Sequence, residues 1–194
     1  MDRTVCIIQG HPDGGGKHLC HAIGDVYADG AKLTGTRVRR IDLGQIDVPM
    51  LRNPAEFGSA PSPAIVSSQK AIAASRHLVV IYPLWLGTMP AVVKAFFEQL
   101  SRNNFAIAAD EKGGWPRQML KGKSARVIVT MGMPATAYKL FFGAHSVRGF
   151  ESSILGMAGI KPIRETLIGG VGALNRNKAE AMLARIRKLG EALV

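Results

Sequence analysis

A chain of 194 residues, 47% hydrophobic and 20% charged, is long enough to bury one core and too apolar to be disordered. Its net charge of +11 favours anionic partners, but the basic residues are scattered and lack the aromatic interleaving of a nucleic-acid module. We therefore expect a solvated basic surface and no nucleic acid partner. Two cysteines, Cys6 and Cys20, form no Cys-x-x-Cys pair or disulfide framework, so both are expected to be buried, and no metal site is predicted.

The amino-terminal stretch leads directly into an apolar strand, and it lacks the basic region, apolar run and cleavage site of a signal peptide. The longest uncharged stretch, residues 78–93, is too short for a membrane span and is broken by Pro83 and Pro90. We therefore expect one cytoplasmic domain over residues 1–194.

A first strand is predicted over Thr4 to Gln9, and a glycine-rich turn separates it from a helix that runs from about Lys17 to Leu33. Backbone N–H groups of such a turn can converge at the helix N-terminus and bind a phosphate. The turn matches neither Gly-x-Gly-x-x-Gly nor the Walker pattern. His11, Lys17 and His18 add cationic or donor groups, which favours a phosphate site over the alternative of a mobile glycine turn.

The next segment predicts a strand at the edge of the sheet. The alternation over Thr36 to Leu43 leaves arginines exposed, as is typical of an edge strand. Residues 47–63 carry four prolines and no clear period, which predicts a long surface loop. A second helix is predicted over Ala64 to Ser75.

The stretch Leu78 to Tyr82 is apolar and largely β-branched, which predicts a central parallel strand buried on both faces. Pro83 ends this strand, and Pro90 falls in the first turn of a helix that runs to Leu100. The loop between them carries apolar residues at the carboxyl end of a buried strand, where open α/β sheets bind ligands. These residues, which indicate a flat apolar ligand, are Leu84, Trp85, Leu86 and Met89.

Residues 103–123 have no clear period, and Phe105 and Trp115 within them could cover either a site or a subunit interface. A fourth strand is predicted over Ala125 to Thr130, and a second unusual loop, residues 131–134, follows it. A short aromatic stretch occupies residues 138–145.

The last third of the chain predicts two helices around a strand. The first helix spans Val147 to Ala158, with Ser146 as its cap and Gly159 as its stop. A fifth strand spans Lys161 to Ile168. Asn177 and Glu180 resemble a capping box that opens the last helix, whose apolar residues recur at helical spacing.

Strands that alternate with helices indicate an α/β fold: a doubly wound five-stranded parallel sheet of order 2-1-3-4-5 with helices on both faces. The switch point of that order lies between strands 1 and 3, where the glycine-rich turn and the Trp85 loop adjoin. A phosphate site beside an apolar loop describes a ligand with a phosphate at one end and a flat ring at the other. Flavin mononucleotide fits both.

Three motifs carry a family resemblance over nearly the whole chain. They are Gly10-His11-Pro12, then Pro83 to Ala91 with Lys94, and then Thr130-Met131-Gly132 with Tyr138 and His145. With these motifs the chain resembles the NAD(P)H dehydrogenase (quinone) family of flavodoxin-like flavoproteins, which includes the ancillary oxidoreductase subunits of potassium-efflux systems. The resemblance implies a single flavodoxin-like, flavin-binding domain.

The resemblance also implies a set of site residues. The residues implied to face the cofactor phosphate are His11, Lys17, His18 and Leu19; those along the isoalloxazine edge are Pro83, Leu84, Trp85 and Leu86; those near its pyrimidine end are Thr130, Met131 and Gly132. Tyr138 and His145 are implied to assist hydride transfer. Gly16-Lys17-His18 replaces the family's usual Ser-Phe-Asn, which leaves both FMN and FAD open as the cofactor.

Two functions follow from the resemblance. The first is a flavin-dependent NAD(P)H oxidoreductase that reduces quinones or similar small-molecule electron acceptors by two-electron, ping-pong hydride transfer. The alternative is a flavin-binding regulatory subunit of a membrane potassium-efflux transporter, with little turnover.

We also predict a homodimer whose active site is partly lined by the partner, because several apolar residues fall outside the expected core, namely Phe57, Phe105, Trp115, Phe141 and Phe142.

Overall fold

The computed structural model describes residues 3–110 and 113–193 and contains a five-stranded parallel sheet. Its strands are β1 (Thr4–Gln9), β2 (Arg37–Asp42), β3 (His77–Pro83), β4 (Ser124–Thr130) and β5 (Ile163–Ile168). Their spatial order is β2-β1-β3-β4-β5, and each neighbouring pair is parallel. The predicted fold class and strand order are confirmed, and β2 is an edge strand as predicted.

Within the described ranges, six α-helices cover the sheet and position its loops. They are α1 (Leu19–Leu33), α2 (Pro63–Ala73), α3 (Ala91–Leu100), α4 (Ala135–Phe142), α5 (His145–Gly149) and α6 (Arg176–Ala192), and a π-helical segment (Phe150–Gly156) continues α5. Short 3₁₀ turns occupy Pro54–Gly58, Arg102–Asn104 and Val171–Ala173. Within residues 3–110 and 113–193, no helix is long and apolar enough to cross a membrane.

The core lies in two layers because the side chains of β3 alternate between the two faces of the sheet. Val79 and Ile81 pack with apolar residues of α1 and α6 on one face. Leu78 and Val80 pack with apolar residues of α2, α3 and the π-helical segment on the other. Both faces of β3 are therefore buried, as its unbroken apolar run predicts.

The helix predicted over Val147 to Ala158 is wrong in its start and in its type. The structure begins α5 at His145, and a π-helix over Phe150–Gly156 occupies the middle of the predicted span. Ser146 does not cap a helix, because its Oγ lies 2.9 Å from the Tyr138 Oη and forms a hydrogen bond with it. The stop at Gly159 is confirmed, because this glycine adopts a φ of +92° that other residues avoid.

Two other helix starts also differ from the sequence predictions. Helix α1 begins at Leu19 and not at Lys17, since the glycine-rich loop extends through His18. The capping box predicted at Asn177 is wrong, because Asn175 caps α6 through its Oδ1, which accepts a hydrogen bond of 2.9 Å from the Lys178 N–H. Glu180 pairs instead with Arg176, one helical turn before it.

The segment predicted as irregular, residues 103–123, contains a two-stranded antiparallel ribbon formed by Ile107–Ala108 and Arg117–Gln118. Phe105 is partly buried against the core, whereas the Trp115 side chain is 87% exposed. Residues 111 and 112 of this segment lie outside the described part of the chain. The two cysteines are buried and free, as predicted.

Candidate active site

Three loops meet at the carboxyl ends of β1, β3 and β4, which is the switch point of the sheet. The His11 ring of the first loop lies edge-on to the Trp85 ring of the second, with centroids 5.9 Å apart. In the loop after β3, the Leu84 N–H donates a 2.7 Å hydrogen bond to the carbonyl of Thr130, the last residue of β4, where the third loop begins. The structure thus brings the sequence-predicted loops together.

The carboxylate of Asp13 organises the glycine-rich loop, residues 10–18. Its Oδ1 accepts hydrogen bonds from the N–H groups of Gly15, at 3.0 Å, and Gly16, at 3.1 Å. Its Oδ2 lies 2.8 Å from the His18 Nε2. These bonds, the one from His18 foremost, lower the pKa of Asp13. The loop is therefore an ordered turn with its own internal anion.

The loop also places two of its histidines against a third from α1. The His11 and His18 rings stack with centroids 3.7 Å apart and 16° between their planes, and the His21 centroid lies 5.6 Å from each. Both His21 ring nitrogens are buried without a hydrogen-bond partner. We call His11, His18 and His21 the imidazole cluster. Throughout the described ranges, no group of His, Cys, Asp or Glu side chains could hold a metal ion.

The N-terminus of α1 opens beside the imidazole cluster. His18 occupies the N-cap without a side-chain hydrogen bond to the helix, and the first turn carries no acidic residue. The first N–H groups of a helix have no intrahelical acceptor, and they form the positive end of the helix dipole. Lys17 is exposed, and Leu19 packs partly against the core under α1. This arrangement provides donors and positive charge for a phosphate.

The loop after β3 is a tight hairpin turn. Trp85 and Thr88 exchange two backbone hydrogen bonds of 2.8 and 3.0 Å, and Leu86 and Gly87 between them have φ values of +49° and +79°. A leucine in the left-handed region is unfavourable, and this leucine is also fully exposed. Trp85 is 47% exposed beside it. A flat apolar ligand or a partner surface would cover both side chains.

Residues 130–132, which the family resemblance places near the pyrimidine end of the flavin, expose little side-chain surface. The Thr130 Oγ1 faces the Cys20 Sγ at 3.3 Å under α1, and Thr130 is buried. Met131 is also buried, and its N–H donates to the Ile168 carbonyl at 2.9 Å. Gly132 alone of the three is exposed. Its backbone is therefore the part of this loop that a ligand can reach.

Tyr138 is buried and holds the Trp85 hairpin. Its Oη bonds to the Ser146 Oγ at 2.9 Å and donates to the Gly87 carbonyl at 3.4 Å, so α4, α5 and the hairpin meet at one hydroxyl. His145 is exposed at the start of α5, and its side chain forms no hydrogen bond with any residue that the structure describes. The two residues thus differ sharply in burial, and a catalytic role for either stays a prediction.

Sequence analysis missed three residues that shape the site: Asp13, His21 and Ser146. A signal existed for Asp13, since an aspartate just before glycines commonly accepts their N–H groups. A signal also existed for His21, which is three residues after His18 on the same helix face. No local pattern signals that Ser146 would bond to Tyr138.

The residues present fit a flavin phosphate at one end of the site and its ring at the other. The orphaned nitrogens of His21 and the uncapped N-terminus of α1 provide donors for a phosphate. A larger residue at position 16 would displace the His18 ring, because an added Cβ would lie 2.2 Å from the His18 Nε2. The exposed Trp85 and Leu86 provide apolar surface for the ring.

Comparison with known proteins agrees with this geometry. A family model described as flavodoxin-like fold matches residues 3–191. The chain belongs to this flavodoxin-like family. This match confirms the resemblance to flavodoxin-like proteins that the three motifs predict. A search of curated proteins found no match to the chain in sequence.

Solved structures resemble this flavodoxin-like chain over its full length. Smu.1420 from Streptococcus mutans UA159 has a TM-score of 0.82 at 20% identity and covers 97% of this chain and 99% of its own. An NAD(P)H:quinone oxidoreductase from Methanothermobacter marburgensis has a TM-score of 0.79 at 21% identity, with both chains covered completely. An FMN-dependent NADH-azoreductase from Bacillus anthracis str. Ames Ancestor, in complex with FMN, has a TM-score of 0.74 at 14% identity. The match covers 100% of this chain and 99% of the azoreductase chain.

Proposed function

We propose that this protein is a flavin-dependent NAD(P)H oxidoreductase that reduces quinones or similar small-molecule acceptors. The observation that carries the proposal is the 5.9 Å contact between His11 and Trp85, which joins a phosphate site to an exposed apolar hairpin at the switch point. Two structural relatives support it, since one is named an NAD(P)H:quinone oxidoreductase and another an FMN-dependent NADH-azoreductase.

The cofactor that we propose is FMN. A bound flavin supplies a ring that takes a hydride from NAD(P)H and passes two electrons on to an acceptor. In this chain the imidazole cluster, Lys17 and the N-terminus of α1 would hold the phosphate. Pro83, Leu84, Trp85 and Leu86 would flank the ring. Mass spectrometry of the flavin released by denaturation distinguishes FMN from FAD.

We assign proton handling to Tyr138 and His145. The Tyr138 hydroxyl can donate a hydrogen bond where negative charge develops, and the exposed His145 imidazole can donate or accept a proton. Loss of one such donor typically costs on the order of a hundredfold in rate. We therefore expect Tyr138→Phe to slow flavin reduction by NADPH to about that extent in stopped flow.

The control for Tyr138→Phe is the flavin affinity of the variant. If Tyr138 acts only by holding the Gly87 carbonyl, the variant binds flavin more weakly while flavin already bound is reduced at the wild-type rate. His145→Gln keeps a hydrogen-bonding group and removes one that can transfer a proton, so it should also slow flavin reduction by NADPH. Wild-type rates for both variants would remove both residues from the chemistry.

We further propose a homodimer that forms over α4. Leu140 and Phe141 are 81% and 82% exposed, and Phe142, which is half exposed, stacks on Tyr138 with ring centroids 6.3 Å apart. An apolar surface of this kind usually marks a protein interface. Because it reaches Tyr138, a partner seated there would line the active site. Phe105 no longer supports this argument, since it packs on the core.

A regulatory subunit of a membrane transporter is the second candidate. The net charge of +11 favours it, together with the exposed arginines of the edge strand β2, such as Arg39 and Arg40. Steady-state kinetics separates the two functions. Rapid NADPH oxidation with a quinone, in parallel double-reciprocal lines, supports the enzyme. Flavin that binds but supports no sustained turnover supports the regulatory subunit. A cytoplasmic location stays a prediction for both.

A further inference from the structure

We propose that the imidazole cluster binds the flavin phosphate as a dianion together with at least one proton taken up from solution, so that affinity for the phosphorylated flavin falls as pH rises above neutrality. The proposal rests on the proposed function, because it concerns the same site. It assigns to His21, which lies outside the three motifs of the family resemblance, a part in recognising a phosphate monoester.

The geometry of the cluster carries the proposal. His11 and His18 are stacked at 3.7 Å, and His21 lies 5.6 Å from both, so three groups that can each become cationic lie within one site. Like charges at such distances repel each other, and the repulsion grows as the groups are withdrawn from water. His11 is only 8% exposed.

The charges around the cluster are few. Among the residues that the structure describes, Asp13 is the one carboxylate in contact with the cluster, through His18, and the exposed Lys17 adds positive charge. His21 faces the cluster from α1, and the hairpin after β3 contributes Trp85, which does not ionise. Burial, followed by the charge of His18, lowers the pKa of His11. One carboxylate therefore cannot balance the charge of three imidazolium groups.

The hydrogen bonds of the cluster leave it ready to accept an anion. The His11 Nδ1 accepts the Asp13 N–H at 3.2 Å, so the neutral ring carries its proton on Nε2 and can donate it. Neither ring nitrogen of His21 has a partner, although both are buried. A phosphate would provide acceptors for these nitrogens, and its negative charge would favour their protonated forms.

The direction of the pH effect follows from linkage. A phosphate monoester has its second pKa near about 6, so above about pH 7 it is already a dianion and its own ionisation adds little. If bound phosphate raises the pKa of an imidazole, protons are taken up on binding, and affinity falls as pH rises. Each proton taken up weakens binding by up to about tenfold per pH unit.

The test compares FMN with riboflavin, which has the same ring and no phosphate. Each is titrated into the wild-type protein from about pH 7 to 9, with quenching of flavin fluorescence as the readout. Calorimetry in buffers of different ionisation enthalpy counts the protons exchanged. We expect FMN affinity to fall at least severalfold across this range with net proton uptake, and riboflavin affinity to stay nearly constant.

Three variants locate the effect. We expect His21→Gln and His18→Asn to reduce the proton uptake on FMN binding and to leave riboflavin affinity within about twofold of the wild type. His77→Leu removes an imidazole at the start of β3, at the opposite end of the sheet from the cluster, and should keep the wild-type proton uptake. Circular dichroism melts of each variant verify that it folds.

The outcomes separate this inference from the proposed function. FMN that binds without proton uptake, or with the pH dependence of riboflavin, overturns the inference and leaves the flavin site standing. Unchanged proton uptake in His21→Gln and His18→Asn also overturns it. If neither flavin binds at any pH, the proposed function fails and the inference fails with it.

Discussion

Asp13 and Gly16 depend on each other in the glycine-rich loop. The Asp13 carboxylate binds two loop N–H groups and the His18 ring, and it can reach that ring because residue 16 has no side chain. A Cβ on residue 16 would lie 2.5 Å from the Asp13 Oδ2 and still closer to the His18 ring. A serine at this position, as in the resembled family, would therefore exclude the pair. The departure from the family pattern at residues 16–18 therefore accommodates the contact between Asp13 and His18.

Trp85→Ala tests the apolar half of the site. The Trp85 ring is 47% exposed, so its truncation should cost the free protein little stability but remove apolar surface that would contact the flavin. We expect flavin affinity to fall by roughly tenfold or more. Fluorescence titration with riboflavin measures the affinity, and a thermal melt measures the stability. Unchanged affinity with a lowered melting temperature would mean that Trp85 serves only the fold.

His77 makes stability depend on pH at the opposite end of the sheet from the site. It is 5% exposed, its Nδ1 bonds to the Ser124 Oγ at 2.8 Å, and its Nε2 is buried without a partner. Burial, with the charges of Arg126 and Arg164, lowers its pKa to about 4. Because the folded pKa lies below the unfolded value of about 6.5, the unfolded chain binds more protons between these pH values.

The consequence of this pKa difference is a loss of stability in acid. The contribution of neutral His77 is fully present above about pH 6.5 and falls as pH decreases towards about 4, by up to about 3 kcal/mol in all. Urea unfolding at several pH values measures it. In His77→Leu that part of the pH dependence should disappear, and a variant with the wild-type pH dependence would show that His77 titrates normally.

At the scale of elements, the strands could be predicted because burial on both faces leaves a direct trace in the sequence. The apolar runs of β1 and β3 located the centre of the sheet, and alternation with helices gave the strand order. The π-helix over Phe150–Gly156 could not be predicted. A shift of the helical hydrogen bonds from four to five residues changes the hydrophobic pattern of one short turn very little.

Helices α1 and α6 approach closely at two glycines. A Cβ on Gly30 would lie 2.1 Å from the Arg187 carbonyl oxygen, and one on Gly190 would lie 2.2 Å from the Tyr27 carbonyl oxygen. We expect Gly30→Ala to force the helices apart and to lower the free energy of unfolding by about 1–3 kcal/mol. Chemical denaturation measures this change.

The matched control for Gly30→Ala is Gly149→Ala in α5. Apart from its neighbours along α5, no atom of the described residues lies within 4 Å of a Cβ placed there. Alanine has the higher helix propensity, so this variant should be unchanged or more stable by up to about 1 kcal/mol. Equal effects of the two substitutions would contradict the close approach of α1 and α6.

At the scale of the whole molecule, the exposed apolar face of α4 predicts association. We expect light scattering at micromolar concentration to give a mass about twice that of the chain. Phe141→Lys should shift the protein towards monomer, because it places a charge in the apolar face. Leu33→Lys changes a comparably exposed leucine at the end of α1 and should leave the mass unchanged. A monomeric wild-type mass would contradict the dimer.

The location of the site could be predicted from the sequence, but the groups within it could be predicted only in part. Loops at the switch point follow from the strand order, and His11 and Trp85 stood out because of their residue types. The orientation of the Thr130 side chain depends on the packing of Cys20 under α1. The hydrogen-bond partner of the Tyr138 hydroxyl depends on where α5 begins. Both are tertiary contacts that no local pattern encodes.

The central claim is that this fold holds a flavin that NAD(P)H reduces. Its most direct test is anaerobic mixing of the FMN-loaded protein with NADPH or NADH while the visible absorbance of the flavin is recorded. We expect the absorbance to bleach rapidly and to return when a quinone is added, with one acceptor molecule reduced for each flavin reoxidised. Bound flavin whose absorbance is unchanged by either nicotinamide, or a protein that binds no flavin, would contradict the account.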